Sequence, residues 1–447
     1  MKLQFKWASL FALLLLGVAS CATPPKSVPQ SSQVSAEDEL PASERSTVIL
    51  IGLDGLRWDG VDRADTPNID SLVQRGVRAK GMQPVFPSKT FPNFYALATG
   101  LHPENHGFLV NRPYDPVFDE TFTNDSSSVE KWWDDGIPIW NVLESQGVRT
   151  ATAGWVGSEA SINEIGPTYS IAYSSLMTKF PHERVDMVLG HLDRAGDARP
   201  HFLTLYHDDI DQNAHRFGVD SPEEKAAISR MDGMVGKLLD GLRKRELLEN
   251  TNIIIVSDHG MLNVDLEKKI YLDDYIDMSL VRERNLDLGP FAAVWPLDPA
   301  DTPQLLANLQ NAHPHMSAKL GTDVFTHRPL GAPPHDRTPP IMVTIDPDWY
   351  VTTRNAEIAA EKTGWSVSPI GNHGYLNTLR DMHATFIAAG PAFKQGEMID
   401  VFENVNVHGM IAEILNVEPA QTDGSPEVWR KPFTDKFRSR LDADADN

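Results

Sequence analysis

The sequence predicts an α/β fold in which a mainly parallel sheet is sandwiched by helices and carries a smaller α+β insertion. Short apolar runs alternate with amphipathic segments over residues 47–261 and again over residues 371–435. Such an alternation of strand and helix is typical of a parallel sheet covered on both faces. Between residues 262 and 370 a Pro-rich region breaks the pattern, and we expect it to form the insertion. The 447 residues, 41% of them hydrophobic, suffice to bury a large core.

The first α/β unit follows directly from the residue pattern. The run "STVILIGL" is β-branched and apolar, as in a buried parallel strand, and it ends at Asp54. The next segment, "DTPNIDSLVQRG", offers Thr66 as a helix cap, Pro67 at the first helical position and Gly76 at the end. We therefore expect a strand followed by a helix.

The later elements repeat this order. The predicted helices and the strands that follow them are "PIWNVLESQG" and "VRTATAGW", "ERVDMVLGHLDRAG" and "HFLTLYHDD", and "SPEEKAAISRMDGMVGKLLDGLRKREL" and "TNIIIVSDHGM". Near the end, "MHATFIAAG" predicts a strand and "NVHGMIAEILNV" a final helix. Within the insertion, "FAAVW", "MSAKL" and "IMVTIDPDW" are the strand-like stretches.

The N-terminus predicts export. Residues 1–20 combine Lys2 and Lys6 with an apolar run that is too short to span a membrane, which is typical of a signal peptide. The following "VASC" resembles a bacterial lipobox ending at Cys21, although ordinary signal cleavage would suit the same small residues. Residues 21–46 are rich in Pro, Ser and charge and predict a flexible tether. We expect a lipoprotein on the outer membrane that faces the periplasm and contacts the membrane only through this anchor.

The composition limits the classes of partner. Lys and Arg number 40 against 62 Asp and Glu, so the net charge is −22. This balance argues against binding to a nucleic-acid duplex, because counterion release needs a cationic face. A phosphate substrate stays open, because bound metal ions can supply local positive charge. Cys21 is the only cysteine, so a metal site must use His, Asp, Glu or hydroxyl ligands.

Polar residues at the strand ends predict that metal site. Ligands of parallel sheets bind outside the carboxyl ends of the strands. Three Asp and three His stand there or in a glycine-flanked loop, namely Asp54, Asp211, His215, Asp258, His259 and His373. A lone Asp after a strand is more often a turn or helix cap, but the joint pattern favours metal. Carboxylates and imidazoles suit Zn²⁺, and six ligands are enough for two zinc ions.

The stretch "FPSKTFPN" supplies a candidate nucleophile, Thr90. It begins a predicted helix, with Thr90 as a plausible cap, Pro92 in the first turn and Gly100 at the end. Metal coordination is one of the few ways to activate a hydroxyl at neutral pH. Two metal ions would stabilise both the attacking and the leaving oxygen of an in-line displacement at phosphorus, and a helix N-terminus favours an anion. The local sequence is equally consistent with Thr90 as a helix cap alone.

Several motifs carry a resemblance to a known family. In chain order they are "LDGLR", "FPSKTFPNFYALATGLHPENHG", "NRPYDP", "PIWNVLESQG", "DIDQNAHRFG", "SDHGM" and "GNHGYLN". They resemble the nucleotide pyrophosphatase/phosphodiesterase family of the alkaline phosphatase superfamily, in its bacterial-type form. The resemblance covers residues 46 to about 420 and implies an alkaline phosphatase-like fold, a threonine nucleophile and two zinc ions.

The resemblance also implies roles for individual residues. One zinc ion would be held by Asp211, His215 and His373, and the other by Asp54, Asp258 and His259, with Thr90 bridging the two. Asn111 matches an asparagine that binds a non-bridging phosphoryl oxygen, and Phe91 matches an aromatic residue that stacks on the nucleobase. Tyr206 and Tyr173 are candidates for the opposing face of the base, with core packing as the alternative. Leu376 replaces an acidic residue frequent in the family, which puts the orientation of His373 in doubt.

The sequence thus predicts a zinc-dependent phosphodiesterase/pyrophosphatase. It would release nucleoside monophosphates from phosphodiester or pyrophosphate bonds through a covalent threonine intermediate. A choline or lysophospholipid phosphodiesterase on the same site is the alternative, and a catalytically silent surface binding protein is a third. A phosphate monoesterase is less favoured, because only Lys89 could supply an additional positive group beside Thr90.

Overall fold

The computed structural model describes residues 45–363 and 369–445. The predicted signal peptide, Cys21 and the tether up to residue 44 lie outside the described residues. Among the described helices, none has both the length and the apolar character needed to cross a bilayer.

The strands of the described ranges are, in chain order, β1 Thr47–Leu53, β2 Gly76–Ala79, β3 Met82–Gln83, β4 Tyr114–Asp115, β5 Glu120–Thr121, β6 Thr150–Ala153, β7 Tyr169–Ile171, β8 Phe202–His207, β9 Thr251–Val256, β10 Leu262–Asn263, β11 Lys269–Tyr271, β12 Phe291–Val294, β13 Met316–Leu320, β14 Ile341–Ile345, β15 Tyr350–Thr352, β16 Gly371–Asn372, β17 Phe386–Ala389, β18 Glu397–Ile399 and β19 Phe402–Glu403.

The α-helices of the same ranges are α1 Pro67–Arg75, α2 Thr90–Thr99, α3 Pro103–His106, α4 Ile139–Ser145, α5 Tyr173–Leu176, α6 Pro181–Leu192, α7 Asp209–Phe217, α8 Pro222–Lys244, α9 Thr302–Leu309, α10 Arg354–Thr363, α11 Val407–Ile414, α12 Pro426–Trp429 and α13 Asp435–Ala445.

An eight-stranded sheet forms the centre of the molecule, in the order β18-β2-β17-β9-β1-β8-β6-β7. Strand β1 pairs in parallel with both β8 and β9, and β6 pairs in parallel with β8 and β7. Strand β17 runs antiparallel to its neighbours β9 and β2. The predicted mainly parallel sheet is therefore confirmed.

Helices cover both faces of this sheet, which explains the continuous apolar runs of its strands. All seven residues of β1 are buried. Val48 and Leu50 face the cluster that includes side chains of α2, α4 and α11. Ile49 and Ile51 face the opposite cluster, which includes side chains of α1, α6 and α8.

The insertion has the predicted α+β content. Strands β12, β14 and β13 form a three-stranded antiparallel sheet in that order, and each lies within one of the three predicted strand-like stretches. Leu305 and Leu309 of α9 pack in the same apolar cluster as residues of all three strands. Strands β11 and β15 form a separate parallel pair.

Helix α1 starts directly after Thr66, as predicted, but the Thr66 side chain does not cap it. The Thr66 hydroxyl instead donates to the carbonyl oxygen of Val61 over 3.2 Å. The cap comes from Asp232 on α8, whose Oδ1 atom accepts hydrogen bonds from the backbone N–H groups of Asn68 and Ile69 at 3.0 and 2.8 Å. A residue distant in sequence thus satisfies the first N–H groups of the helix.

We expect Asp232→Ala to lower the free energy of unfolding by about 2 kcal/mol, because it leaves the backbone N–H groups of Asn68 and Ile69 without their acceptor. Urea denaturation measures the change. Asp240→Ala is the control, since Asp240 is exposed on the same helix and its ion pair is with the exposed Arg243. Equal stability of the two variants would contradict this account of the cap.

Candidate active site

Neighbouring strands bring the predicted metal ligands to one edge of the central sheet. Asp54 follows β1, Asp258 and His259 follow β9, and Asp211 lies in the first turn of α7 after β8. His373 follows β16 in the loop that closes over this edge. Because β1 lies between β8 and β9, three chain segments that are distant in sequence end side by side.

Asp211, His215 and His373 form the first ligand group. The Nε2 atom of His215 lies 3.4 Å from Asp211 Oδ2 and 3.2 Å from His373 Nε2. His373 Nε2 lies 3.7 Å from Asp211 Oδ1. The structure therefore brings together the three residues that the resemblance assigns to one zinc ion.

Asp54, Asp258 and His259 form the second group, with ligand atoms all within 4.8 Å of one another. His259 Nε2 lies 2.9 Å from Asp258 Oδ2 and 3.6 Å from Asp54 Oδ1. The two groups adjoin, because the rings of His259 and His373 stack with centroids 3.5 Å apart. His259 also fits a group with Asp211 and His373, so it stands at the boundary of the two groups.

Backbone carbonyls orient all three imidazoles. The Nδ1 atoms of His215, His259 and His373 contact the carbonyl oxygens of Gly371, Gly260 and Ser88, respectively, at 2.7, 3.0 and 2.8 Å. A carbonyl oxygen only accepts, so each Nδ1 carries the hydrogen and each Nε2 presents a lone pair. The orientation of His373 thus depends on Ser88, and Leu376 is an exposed residue of the following loop.

The buried charges of the site fit metal ions. Among the described residues, Asp54 Oδ1, Asp211 Oδ1 and Asp258 Oδ2 are buried without a hydrogen-bond partner. Burial raises the pKa of the Asp54 carboxyl well above its ordinary value, and the charges of Asp258 and Asp211 raise it further. Burial also lowers the pKa of His373 well below its ordinary value, so its imidazole is neutral.

The lone pairs on His215 and His373 Nε2 face each other as well. Cations between these groups would remove both the carboxylate repulsion and the lone-pair repulsion. The donor set of carboxylate and imidazole suits Zn²⁺.

Gly55 allows the two ligand groups to approach each other. Its φ angle is +72°, and a Cβ atom at this position would lie 2.9 Å from the Cα and Cβ atoms of Asp211. The backbone N–H of Gly55 also donates to Asp258 Oδ1 over 3.2 Å. A side chain at residue 55 would therefore displace Asp211 from the site.

Thr90 lies beside the second group, with its Oγ1 atom 3.5 Å from His259 Nε2. It is the first residue of α2, and the cap position belongs to Lys89, so the expectation that Thr90 is the cap residue is wrong. As predicted, the helix ends at Gly100, which has a φ angle of 70°. The hydroxyl is therefore directed to the metal ligands at the positive end of the helix dipole.

Asn93 fixes the loop that carries Thr90, and the sequence reading missed it. Its Oδ1 accepts from the backbone N–H of Val85 at 2.7 Å, and its Nδ2 donates to the carbonyl oxygens of Pro87 and Lys89 at 3.1 and 2.8 Å. The side chain is fully buried. The signal that was available was a polar residue within an otherwise apolar helix.

Asn111 approaches the same helix end. Its Oδ1 atom accepts a hydrogen bond from the backbone N–H of Phe91 at 2.9 Å. With the oxygen engaged, the NH₂ group is the part of the side chain that is available to a substrate oxygen.

A cavity of about 800 Å³ opens beside Thr90. Phe91, Tyr173 and Trp133 line it together with Asn111. Phe91 packs its ring near Phe108, at 5.9 Å between centroids, and is partly buried. Tyr173 is also partly buried, and its hydroxyl donates to Asp208 Oδ2 over 3.1 Å. Both rings are thus held by the protein while they border the cavity.

Tyr206 serves the site in a different way from the predicted stacking role. Only 4% of the residue is exposed, and its hydroxyl donates to Asp54 Oδ2 over 2.6 Å. Its ring packs edge-on against Phe94 at 5.2 Å. The residue therefore orients the Asp54 carboxylate, and Tyr173 is the better candidate for the face opposite Phe91.

Comparisons with known proteins identify one family. The family model described as type I phosphodiesterase / nucleotide pyrophosphatase matches residues 48–376. Human ectonucleotide pyrophosphatase/phosphodiesterase family member 1 is 35% identical over 405 residues, which cover 87% of this chain and 42% of that protein. An uncharacterized pyrophosphatase/phosphodiesterase from Schizosaccharomyces pombe is 34% identical over 396 residues, 86% of this chain and 79% of that protein. The chain thus spans less than half of the human relative.

A similar structure is known as well. Murine ectonucleotide pyrophosphatase/phosphodiesterase 5, solved as an inactive threonine-to-alanine variant in complex with AMP, superimposes with a TM-score of 0.78 at 28% identity. The match covers 87% of this chain and 100% of that chain. The likeness confirms the predicted fold class.

We expect Tyr206→Phe to weaken metal binding about tenfold, because it removes the hydrogen bond that orients Asp54. Titration with a chelator, followed by elemental analysis of the protein, measures the affinity. Tyr169→Phe is the control, since the Tyr169 hydroxyl donates to the carbonyl oxygen of Ala198 away from the site. Unchanged affinity in Tyr206→Phe would show that Asp54 needs no such support.

Proposed function

The chain belongs to the type I phosphodiesterase / nucleotide pyrophosphatase family, and from this premise we propose that it is a zinc-dependent hydrolase that releases nucleoside monophosphates from phosphodiester or pyrophosphate bonds. One observation carries the proposal: two adjoining ligand groups meet beside a hydroxyl, with Thr90 Oγ1 3.5 Å from His259 Nε2. The similar murine structure holds AMP, which supports a nucleotide substrate.

Two zinc ions would be held by the groups described above. Asp211, His215 and His373 would hold one ion, and Asp54, Asp258 and His259 the other, with Thr90 between them. When bound, the ions would supply positive charge beside the Thr90 oxygen and the phosphoryl oxygens.

Thr90 would act as the nucleophile in two displacements. In the first, the Thr90 hydroxyl gives up its proton and its oxygen forms a bond to phosphorus, while the bond from phosphorus to the leaving oxygen breaks and the leaving oxygen takes a proton; a phosphothreonine diester results. In the second, a water oxygen displaces Thr90 and releases the nucleoside monophosphate. The N-terminal end of α2 favours the anionic substrate, and the Asn111 NH₂ group would donate to a non-bridging oxygen.

The cavity supports a nucleotide in size and lining. About 800 Å³ lies within the range of ordinary ligand sites. Phe91 and Tyr173 would contact the base by stacking. Because every base has a π-face, stacking tolerates base identity, and we expect broad use of nucleotides.

The charges around the cavity favour a diester over a monoester. Among the described residues that line it, there is no Lys or Arg. Lys89 precedes the nucleophile but does not line the cavity, and its ammonium lies 5.9 Å from the Phe291 ring centroid. Burial lowers its pKa, which the Asp287 carboxylate partly offsets. A dianionic monoester would therefore lack the additional cation that its extra charge needs.

A choline phosphodiester is the second candidate. Asp125, Glu159 and Asp208 line the cavity together with the aromatic rings of Trp133 and Tyr173. Carboxylates and aromatic faces are groups that attract a quaternary ammonium ion.

We propose that the protein is exported and attached to the outer membrane, as its N-terminal sequence predicts. Residues 1–20 would be removed on export, and a lipid on Cys21 would hold a bacterial-type enzyme on the outer membrane, facing the periplasm. Mass spectrometry of the mature N-terminus tests this part.

We expect Thr90→Ala to lose at least about a thousandfold in turnover, because it removes the oxygen that would form the covalent intermediate. Elemental analysis of the Thr90→Ala variant should still give about two zinc ions per chain. Thr90→Ser, which keeps the hydroxyl, should retain measurable activity. An active Thr90→Ala enzyme would exclude the covalent mechanism.

A substrate panel separates the candidate functions. We expect hydrolysis of the 5′-p-nitrophenyl ester of TMP and of bis-p-nitrophenyl phosphate to exceed that of p-nitrophenyl phosphate, and a chelator to abolish all of it. Preference for p-nitrophenylphosphorylcholine would favour the choline alternative. Absence of any hydrolysis by the zinc-loaded protein would favour a binding protein.

A further inference from the structure

The segment that carries Asn111 depends on the insertion for its packing. No described helix or strand lies between α3, which ends at His106, and β4, which begins at Tyr114. Leu109 and Val110, directly before Asn111, pack in one apolar cluster with Phe291 of β12 and Met342 of β14. The insertion therefore forms the support beneath Asn111.

Arg337, also in the insertion, contacts this region through a buried guanidinium. The side chain is 3% exposed, and its Nε donates to Asp115 Oδ2 at 2.8 Å. Its Nη1 and Nη2 donate to the carbonyl oxygens of Trp132 and Lys131 at 3.0 and 2.6 Å. The guanidinium carbon also lies 4.9 Å from the ring centroid of Trp132.

The guanidinium lies beside both ends of the Asn111 segment. Asp115 is one end. Gly107 is the other, because a Cβ atom there would lie 2.8 Å from Arg337 Nη1. Its φ angle of +84° also favours glycine. In sequence, Asn111 lies midway between Asp115, which the guanidinium binds, and Gly107, which it adjoins.

The same guanidinium fixes the wall of the cavity. The carbonyl oxygens of Lys131 and Trp132 directly precede Trp133, which lines the cavity. The Trp133 ring stacks on Phe108 with centroids 4.2 Å apart, and Phe108 lies within the Asn111 segment.

We propose that Arg337 is a positioning residue that sets the Asn111 amide for the phosphoryl group of the substrate. The inference rests on the proposed function. Arg337 does not line the cavity, so it acts through the Gly107–Asp115 segment. Removal of the guanidinium would leave the 5% exposed Asp115 carboxylate without its charge partner, and the segment would shift to solvate it.

The test is a double-mutant cycle on the full-length, zinc-loaded protein with the 5′-p-nitrophenyl ester of TMP. We expect Arg337→Met to lower kcat/KM about tenfold, since small misplacements of a positioning group are costly. In an Asn111→Ala background, the same change should lower kcat/KM less than about twofold, because the positioned amide is already absent.

Arg63→Met is the matched control. Arg63 is largely buried, and its Nη1 lies 2.8 Å from Oε2 of the buried Glu224, in an ion pair that does not line the cavity. We expect its kcat/KM to stay within about twofold of wild type even where its thermal stability falls as much as that of Arg337→Met.

A second variant keeps the cycle usable if Arg337→Met does not fold. Asp115→Asn removes the charge partner but retains the oxygen that accepts from the backbone N–H of Val117 at 2.9 Å. It should show the same loss and the same dependence on Asn111.

Two results would overturn the inference. The first is that Arg337→Met, or Asp115→Asn in its place, lowers kcat/KM by the same factor in the wild-type and in the Asn111→Ala background. The second is that Arg63→Met lowers kcat/KM as much as Arg337→Met does. Inactivity of the wild-type protein would instead refute the proposed function, so the two failures are distinguishable.

Discussion

The concentration of negative charge at one edge of the central sheet is the constraint on which the site depends. Asp54, Asp211 and Asp258 each bury an oxygen that lacks a hydrogen-bond partner among the described residues. Carboxylates this close repel one another, and cations between them would remove that repulsion. Imidazole lone pairs from three histidines point into the same space. The parallel strands β1, β8 and β9 make the gathering possible, because their carboxyl ends share one edge.

The rest of the site holds this edge in place. The carbonyl oxygen of Ser88 accepts a hydrogen bond from the His373 imidazole. The Asn93 side chain donates to the carbonyl oxygen of Lys89, directly before Thr90, and the Tyr206 hydroxyl donates to Asp54. The insertion adds a second support, since its strands pack under the segment of Asn111. The loops at the edge of the central sheet and the insertion thus have the same structural role. Both hold in position the side chains that would surround a phosphoryl oxygen.

The sequence predicted the parts that depend on local pattern. Buried strands appear as apolar runs because both faces of the sheet are covered, and five of the six predicted ligands come after the ends of those runs, with His373 in a glycine-flanked loop. The contacts of Asp232, Tyr206 and Arg337 were not predicted, because each acts on a residue that is distant in the chain. Their own neighbours in sequence carry no sign of that partner. Thr66 is a case in which the local pattern misleads. The residue type favours a helix cap, but Asp232 from the packed helix α8 accepts the hydrogen bonds instead.

The hydrogen bonds of the three histidines have a consequence for how the site responds to change. Each Nδ1–H group is received by a main-chain carbonyl oxygen, at Gly371, Gly260 or Ser88. A carbonyl oxygen is present whatever the amino acid, so substitution of the acceptor residue cannot delete the acceptor. The orientation of the imidazoles therefore depends on the backbone conformation. Substitution of neighbouring side chains leaves that orientation unchanged as long as the backbone conformation is kept.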